Sequence, residues 1–296
     1  MIERDRAQIF KAELLLLTVV IIWAGNIPLL KWGISGLDFY ILNGIRFVVA
    51  SVFLATIYFS RSRWIPIARS DWLKLVGTGI VAYVLYQMVF IIGLSMTTAG
   101  NAAVLLSTAP LWTVSLSGLI YGEKIRRSTW TGMAISLSGV IMIIIGSGKK
   151  LEFGSDALFG DLIMVVAAAL WGLNTNLQKP LLIRYSPLQL ALIMVITGAV
   201  GLSLIAVPSA ITADWGSVHW TYYLAAIASG ALSIAIANTF WSFGVKHLGP
   251  GRTANFGNLV PVLALLIAYV ALNEQPLLIQ LIGAATTIGG VWVARR

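Results

Sequence analysis

The chain has 296 residues, 58% of them hydrophobic and only 10% charged, with a mean hydropathy of +0.89. A soluble domain carries about 25% charged residues, so this composition excludes a water-soluble fold and makes the bilayer the solvent. The net charge of +9 lies in short basic clusters between apolar runs, which is the pattern of membrane orientation and not of a nucleic-acid surface. The absence of cysteine removes disulfides, thiolate metal sites and thiol nucleophiles.

Apolar runs occur in order at 14–32, 39–59, 72–94, 101–121, 128–146, 160–180, 187–208, 220–245, 253–272 and 276–294. Each is long enough to cross the hydrocarbon core as a helix. The chain is therefore expected to be an all-α membrane protein of ten transmembrane helices. Ser35-Gly36, Thr97-Thr98, Gly249-Pro250-Gly251 and Asn273-Glu274 read as tight turns, and the stretch from Lys149 to Gly160 reads as the junction of two halves. The first run follows basic residues without a small-residue cleavage site, so it is expected to be a retained helix and not a signal peptide.

Those halves repeat. Gly79, Gly93, Gly100, Pro110, Glu123, Gly132 and Gly139 find the same residue type 151 positions later, at Gly230, Gly244, Gly251, Pro261, Glu274, Gly283 and Gly290. Upstream the offset is 148, pairing Trp23, Asn26 and Lys31 with Trp171, Asn174 and Lys179, and Trp72 with Trp220. An indel of three residues accounts for the change. Residues 1–148 and 149–296 are thus two copies of one unit. Five spans per copy is an odd number, so the copies are expected to insert in opposite directions, the inverted-repeat plan of alternating-access transporters.

Of the twenty Lys and Arg residues, sixteen fall on one side if the N-terminus is cytoplasmic, from Arg4 and Arg6 through Arg61, Arg126 and Lys246 to Arg295 and Arg296. Only Lys149 and Lys150 fall on the other, with Lys31 at a span end and Arg46 inside one. That asymmetry places both termini in the cytoplasm of a multi-pass inner-membrane protein. Trp32, Trp64, Trp72, Trp130, Trp215, Trp220 and Trp292 lie near predicted span ends and read as interfacial anchors.

Polar and aromatic residues recur together inside the spans. Trp23, Asn26 and Leu30 share one face of the first span, and Trp171, Asn174 and Gln178 the matching face of the sixth. Amides deep in hydrocarbon need partners or water. Interhelical hydrogen bonding and a solute site at the midplane both satisfy that need. Pro28 bends the first span, as a plain kink or as a hinge. The third span carries Tyr83, Tyr86, Gln87 and Phe90, and the eighth has Asn238 and Trp241 at the positions equivalent to Gln87 and Phe90. The fourth adds Asn101, Pro110 and Trp112, and the ninth adds Asn255, Asn258 and Pro261. Together these groups describe a neutral, amide-rich and aromatic-lined pocket that suits a small organic solute, with Pro28, Pro110 and Pro261 as hinge or kink candidates.

All eleven acidic residues fall at span ends or in loops, so no carboxylate is available at mid-membrane for a proton relay or a cationic-drug site. His219 and His247 also lie near span ends. Arg46 is the one strong charge well inside a span, and it reads either as a structural brace or as a candidate contact for a substrate carboxylate. No nucleophile with its base, and no carboxylate pair, is placed for intramembrane hydrolysis, so an enzyme is not expected. Nor is a cofactor or a metal.

Ile45-Arg46-Phe47, Pro110, and Gly122-Glu123 followed by Gly132 and Gly139-Val140, repeated as Pro261, Glu274, Gly283 and Gly290-Val291, resemble the EamA-type members of the drug/metabolite transporter superfamily. The resemblance covers nearly the whole chain and rests on the ordered series rather than on one motif. It implies ten helices in two inverted five-helix repeats, a central cavity and export of small metabolites, and within the family the chain is similar to the YddG-type aromatic amino-acid exporters. Met194 stands where the repeat would place a partner for Arg46, so the copies do not share every role. The residues and the resemblance together lead to an exporter of neutral or zwitterionic metabolites, foremost aromatic or large apolar amino acids, working by alternating access as a facilitated uniporter. It is expected as a monomer or weak homodimer in the lipid bilayer. A sugar-phosphate or nucleotide-sugar carrier, which needs more buried Lys or Arg, is the alternative within transport; a membrane scaffold or receptor is the alternative outside it.

Overall fold

The computed structural model describes residues 2–96, 105–146, 155–263, 266–267 and 276–295. Most of the described residues are helical, with no strand among them, and the chain is an all-α membrane protein. In order come α1 (Ile2–Ile34), α2 (Phe39–Arg61) and α3 (Arg69–Gly79), which continues through a π-helical segment (Ile80–Leu85) into α4 (Tyr86–Met96). Next are α5 (Ala109–Tyr121), α6 (Arg127–Gly146), α7 (Ser155–Arg184) and α8 (Pro187–Thr212). Helix α9 (Trp220–Ser229) runs through a second π segment (Gly230–Ala237) into α10 (Asn238–Leu248). A short α11 (Pro250–Asn255) with a 3-10 turn (Phe256–Leu259), and α12 (Leu278–Arg295), complete the described chain.

Among the described residues, six helices are long and apolar enough to cross a membrane. Three departures from the apolar runs have local causes. Helix α1 has 33 residues, about 50 Å at 1.5 Å per residue, so it begins well before the apolar run at residue 14 and outreaches a hydrocarbon core of roughly 30 Å. The third and eighth runs are each interrupted by a π segment that hydropathy does not register. The ninth run opens as a single turn and a half of α-helix followed by the 3-10 turn. Asn101, Lys149, Lys150 and Glu274 lie outside the described residues, as do the side chains of Pro28 and Lys31.

Helix ends follow the chemistry of the residues there. Asp38 caps α2, its carboxylate accepting from the backbone N–H of Tyr40 (2.9 Å) and Ile41 (3.1 Å), and Ser186 caps α8 by accepting from Gln189 N–H (3.1 Å) ahead of Pro187 at the first helical position. Gly122 ends α5 at φ 63°, the left-handed conformation that glycine adopts without a Cβ penalty. All seven tryptophans near span ends are exposed, at 41% to 62%, as interfacial anchors should be, whereas Trp241 is 2% exposed.

The chain divides into two compact units, one of Met1–Val84 with Gln178–His247 and one of Leu85–Leu177 with Leu248–Arg296. Each unit draws on both sequence copies. In the first unit α2 and α8 pack antiparallel: Gly44 lies by Ser203 and Ala206, Phe47 by Gly198, and Tyr58 donates to Gln189 Oε1 at 3.1 Å. A Cβ on Gly79 would lie 3.1 Å from the Cα and carbonyl oxygen of Met194, and one on Gly230 would run into the carbonyl of Arg46. Gly79 and Gly230 are repeat mates, as are Arg46 and Met194, so one contact is the repeat image of the other.

The second unit shows the same exchange symmetry on α6 and α12. A Cβ on Gly132 would lie 2.6 Å from the carbonyl oxygen of Gly290, and one on Gly139 would lie 2.5 Å from that of Gly283; the reverse contacts are 2.6 Å and 2.7 Å. Pairing 132 with 290 and 139 with 283 makes the helices antiparallel. Since Gly132 mates with Gly283 and Gly139 with Gly290, the interface maps onto itself when the copies are exchanged, the signature of a pseudo-twofold contact. Lipid offers no hydrophobic drive for helices to associate, so close backbone approach over small residues has to supply the packing.

Neighbouring glycines of α12 therefore differ in what they tolerate. Gly290→Ala forces the helices apart and is expected to destabilise the detergent-solubilised protein by about 1–3 kcal/mol. Gly289, with nothing within 4 Å of its Cβ position, is expected to accept alanine with a gain of about 0.5–1 kcal/mol from helix propensity. Thermal unfolding of the two variants, followed by size-exclusion homogeneity, checks the contrast; equal behaviour would remove the seam from the account.

Candidate functional site

The predicted site residues sort into two half-sites, one in each unit. In the first unit Trp23 of α1 lies against Trp241 of α10, with ring centroids 5.1 Å apart and planes inclined by 36°. In the second, Tyr86 of α4 lies against Trp171 of α7, again at 5.1 Å, inclined by 48°, and Tyr86 stacks on Phe90 at 5.9 Å. Trp23 and Trp171 are repeat mates, and Phe90 is the mate of Trp241. Each unit thus builds an aromatic pair from one helix of each copy, by equivalent helices. Offset pairs at this distance are the preferred geometry for aromatic quadrupoles.

One helical turn from each tryptophan is its amide. Asn26 stays half-buried and accepts from Ser229 Oγ at 2.6 Å. Asn174 is buried at 1% exposure. Behind Asn26 runs a chain of polar contacts into the protein: Arg46 Nε donates to Ser229 Oγ (2.9 Å), and Arg46 Nη1 donates to Asn43 Oδ1 (2.6 Å). Arg46 is 3% exposed and Ser229 and Asn43 are 1% exposed. A buried guanidinium costs several kcal/mol unless its N–H groups are matched, and these two acceptors meet that demand in part.

Several other predicted residues are committed to the framework. Asn238 Nδ2 donates to the carbonyls of Ser233 (3.1 Å) and Ile234 (3.0 Å), groups of the second π segment. Gln178 Oε1 accepts from Ser242 Oγ (2.7 Å). Tyr83 is buried edge-on against Phe47, with centroids 5.2 Å apart. Asn258 Nδ2 donates to Ser136 Oγ (3.0 Å) and Asn255 Nδ2 to the Val291 carbonyl (3.4 Å), both on the unit-two helices, while their Oδ1 atoms are buried without a hydrogen-bond partner. Gln87 is buried, and Trp112 is exposed at 37%. Pro110 sits in the first turn of α5, where its missing N–H costs nothing, and Pro261 follows the 3-10 turn of the ninth run. Asn101 lies outside the described residues, as does the side chain of Pro28.

Sequence reasoning passed over Ser229, Asn43 and Asn176. Asn176 Nδ2 donates to the carbonyls of Thr113 (2.8 Å) and Gly172 (2.9 Å), which fastens α7 to α5 beside the aromatic pair. Gly172 makes that approach possible, since a Cβ there would lie 2.8 Å from Thr113 N. The available signals were positional: Asn43 is one turn from Arg46, and Ser229 immediately precedes the repeated Gly230.

Comparison with known proteins places this architecture. The EamA-like transporter family matches the chain twice, over residues 10–145 and 158–296. A probable terminal-alkyne amino-acid exporter of Streptantibioticus cattleyicolor is 31% identical over 97% of this chain and 94% of its own length. An uncharacterized transporter of Archaeoglobus fulgidus is 30% identical over 96% of both chains, and a probable amino-acid metabolite efflux pump of Salmonella typhimurium is 25% identical over 96% and 94%. A solved crystal structure superposes with a TM-score of 0.80 at 19% identity, covering 96% of this chain and 98% of that one, which shows the fold. Two matches of one family model, one on each of the two copies, together span most of the chain, which is a membrane transporter of the EamA-like transporter family.

Proposed function

We propose that the protein exports small neutral or zwitterionic metabolites, foremost aromatic and large apolar amino acids, across the inner membrane by alternating access. The observation that carries the reading is the repeat-related pair of half-sites, each with two aromatic rings at 5.1 Å and an amide one turn away. Rings supply broad apolar surface for a side chain, and amides supply both donors and acceptors for the charged ends of an amino acid. Two relatives named for export of amino acids or their metabolites, from Streptantibioticus cattleyicolor and Salmonella typhimurium, support the same substrate class. Their names concern other substrates in detail, and the choice of aromatic and large apolar side chains rests on the rings.

Movement is read as downhill. The acidic residues fall at span ends or in loops, so a carboxylate relay of the kind that couples transport to protons has no member at mid-membrane. Purified protein in liposomes is expected to move labelled phenylalanine down its gradient with no pH difference imposed. Trp23→Ala and Trp171→Ala are each expected to raise KM about tenfold, the loss of one stacked and buried ring face. Flux that appears only with a pH difference would remove the uniport reading, and flux unchanged in both variants would remove the rings from the site.

The same reading places both termini in the cytoplasm, because sixteen of twenty basic residues then face inward. A fluorescent protein fused after Arg296 is expected to mature and fluoresce, and alkaline phosphatase inserted at Lys149-Lys150 is expected to be active. The opposite pair of results would invert the topology.

A further inference from the structure

Asn26 differs from its repeat mate Asn174 in what stands behind it. Arginine has only donors, so the 2.9 Å contact from Arg46 Nε uses a lone pair of Ser229 Oγ. With that lone pair taken, Ser229 Oγ donates its own proton, and its partner is Asn26 Oδ1 at 2.6 Å. With its oxygen engaged, Asn26 turns its Nδ2 amide protons to whatever lies against it. The cation two bonds back draws density from the serine oxygen and strengthens the bond that sets this orientation.

Burial separates the roles. Arg46 and Ser229 are 3% and 1% exposed, while Asn26 is half-buried, so of the three Asn26 is the one placed to meet a solute. Gly230 makes the arrangement possible, because only a residue without Cβ lets the end of α9 lie on the Arg46 carbonyl and bring Ser229 to the guanidinium. The repeat-equivalent set keeps the asparagine, as Asn174, but neither the arginine nor the serine. Its residue equivalent to Arg46 is Met194, and its residue equivalent to Ser229 is Thr78, whose hydroxyl donates to the carbonyl of Lys74 on its own helix at 2.7 Å.

We infer that Arg46 and Ser229 are positioning residues that hold Asn26 as a hydrogen-bond donor, so that this half-site selects the carboxylate end of its solute and fixes which way round an amino acid sits. The inference rests on the amino-acid reading above and deepens it. Arg46 acts from behind Ser229 and does not itself touch the carboxylate.

The test compares phenylalanine with phenylalaninamide, which keeps the ring and amine and loses the carboxylate charge, as uptake substrate and competitor in proteoliposomes. In Ser229→Ala the preference for the acid over the amide is expected to fall about tenfold, the worth of one hydrogen bond to a charged group, through KM and with maximal flux within about twofold. Ser229→Thr, which keeps the hydroxyl, is expected to restore the preference. Should Ser229→Ala not remain monodisperse, Asn26→Asp carries the same test: it keeps the shape, replaces the donor with an anion, and is expected to reverse the preference toward the amide. An unchanged acid-to-amide ratio in folded Ser229→Ala or Asn26→Asp overturns the relay, as does an equal loss for both compounds, which marks mere packing. Wild-type protein that moves no amino acid overturns the amino-acid reading and the relay with it, whereas wild-type flux with an unaltered ratio in the variants overturns the relay alone.

Discussion

Helices in lipid gain nothing by hiding apolar side chains from a solvent that is itself apolar, so backbone approach has to hold them together. The glycine seam on α6 and α12 meets that constraint directly: four glycines face carbonyl oxygens at distances no Cβ would permit. The remaining framework repeats the solution. Gly79 and Gly230 admit the π-interrupted helices onto α8 and α2, and Gly172 admits α7 onto α5. Polar side chains then act as local fasteners, as Asn176 does between α7 and α5 and Tyr58 and Gln189 do at the end of α2. Ten of the eleven tryptophans divide by the same logic, with seven exposed near span ends and three, Trp23, Trp171 and Trp241, more deeply placed, while Trp112 is 37% exposed within α5.

The framework was legible in the sequence because its cause is periodic. Glycines needed at matching points of two copies leave a fixed offset, and that offset carried the reading of two copies; it pairs residues by position and not by contact, so the seam of α6 and α12 comes from the structure alone. The site was legible only in part. Periodicity puts Asn238 on the same face as Trp241, but cannot tell that its amide bonds the carbonyls of a π turn. Hydropathy likewise sees the third and eighth runs as uninterrupted, since a π turn changes hydrogen-bond spacing and not polarity. Ser229 looked like one more small residue in a membrane helix; its meaning comes from Arg46, 183 positions away. Such pairings arise from tertiary approach, and no local pattern contains them.

Symmetry and its breach have different uses here. The two units carry equivalent ring pairs, each built from one helix of each copy. The Asn43–Arg46–Ser229–Asn26 chain takes Ser229 from the second copy and its other members from the first, and at the repeat position of its buried cation stands Met194. A duplicated scaffold can thus repeat its packing at equivalent positions and place a buried charge at only one of them.

The π segments bear on how a single helix serves two neighbourhoods. Each starts beside a repeated glycine, Ile80–Leu85 directly after Gly79 and Gly230–Ala237 at Gly230 itself. One added residue advances the angular phase of everything downstream by about 100°. In the first copy the passage from one unit to the other falls inside that segment, at Val84 and Leu85, so α3 meets α8 through Gly79 while α4, rotated out of phase, meets α7 through Tyr86. Deleting one residue there would restore an unbroken helix and swing Tyr86 off Trp171 without altering any side chain's identity. The aromatic pair is therefore addressed by the count of residues along the helix as much as by their chemistry.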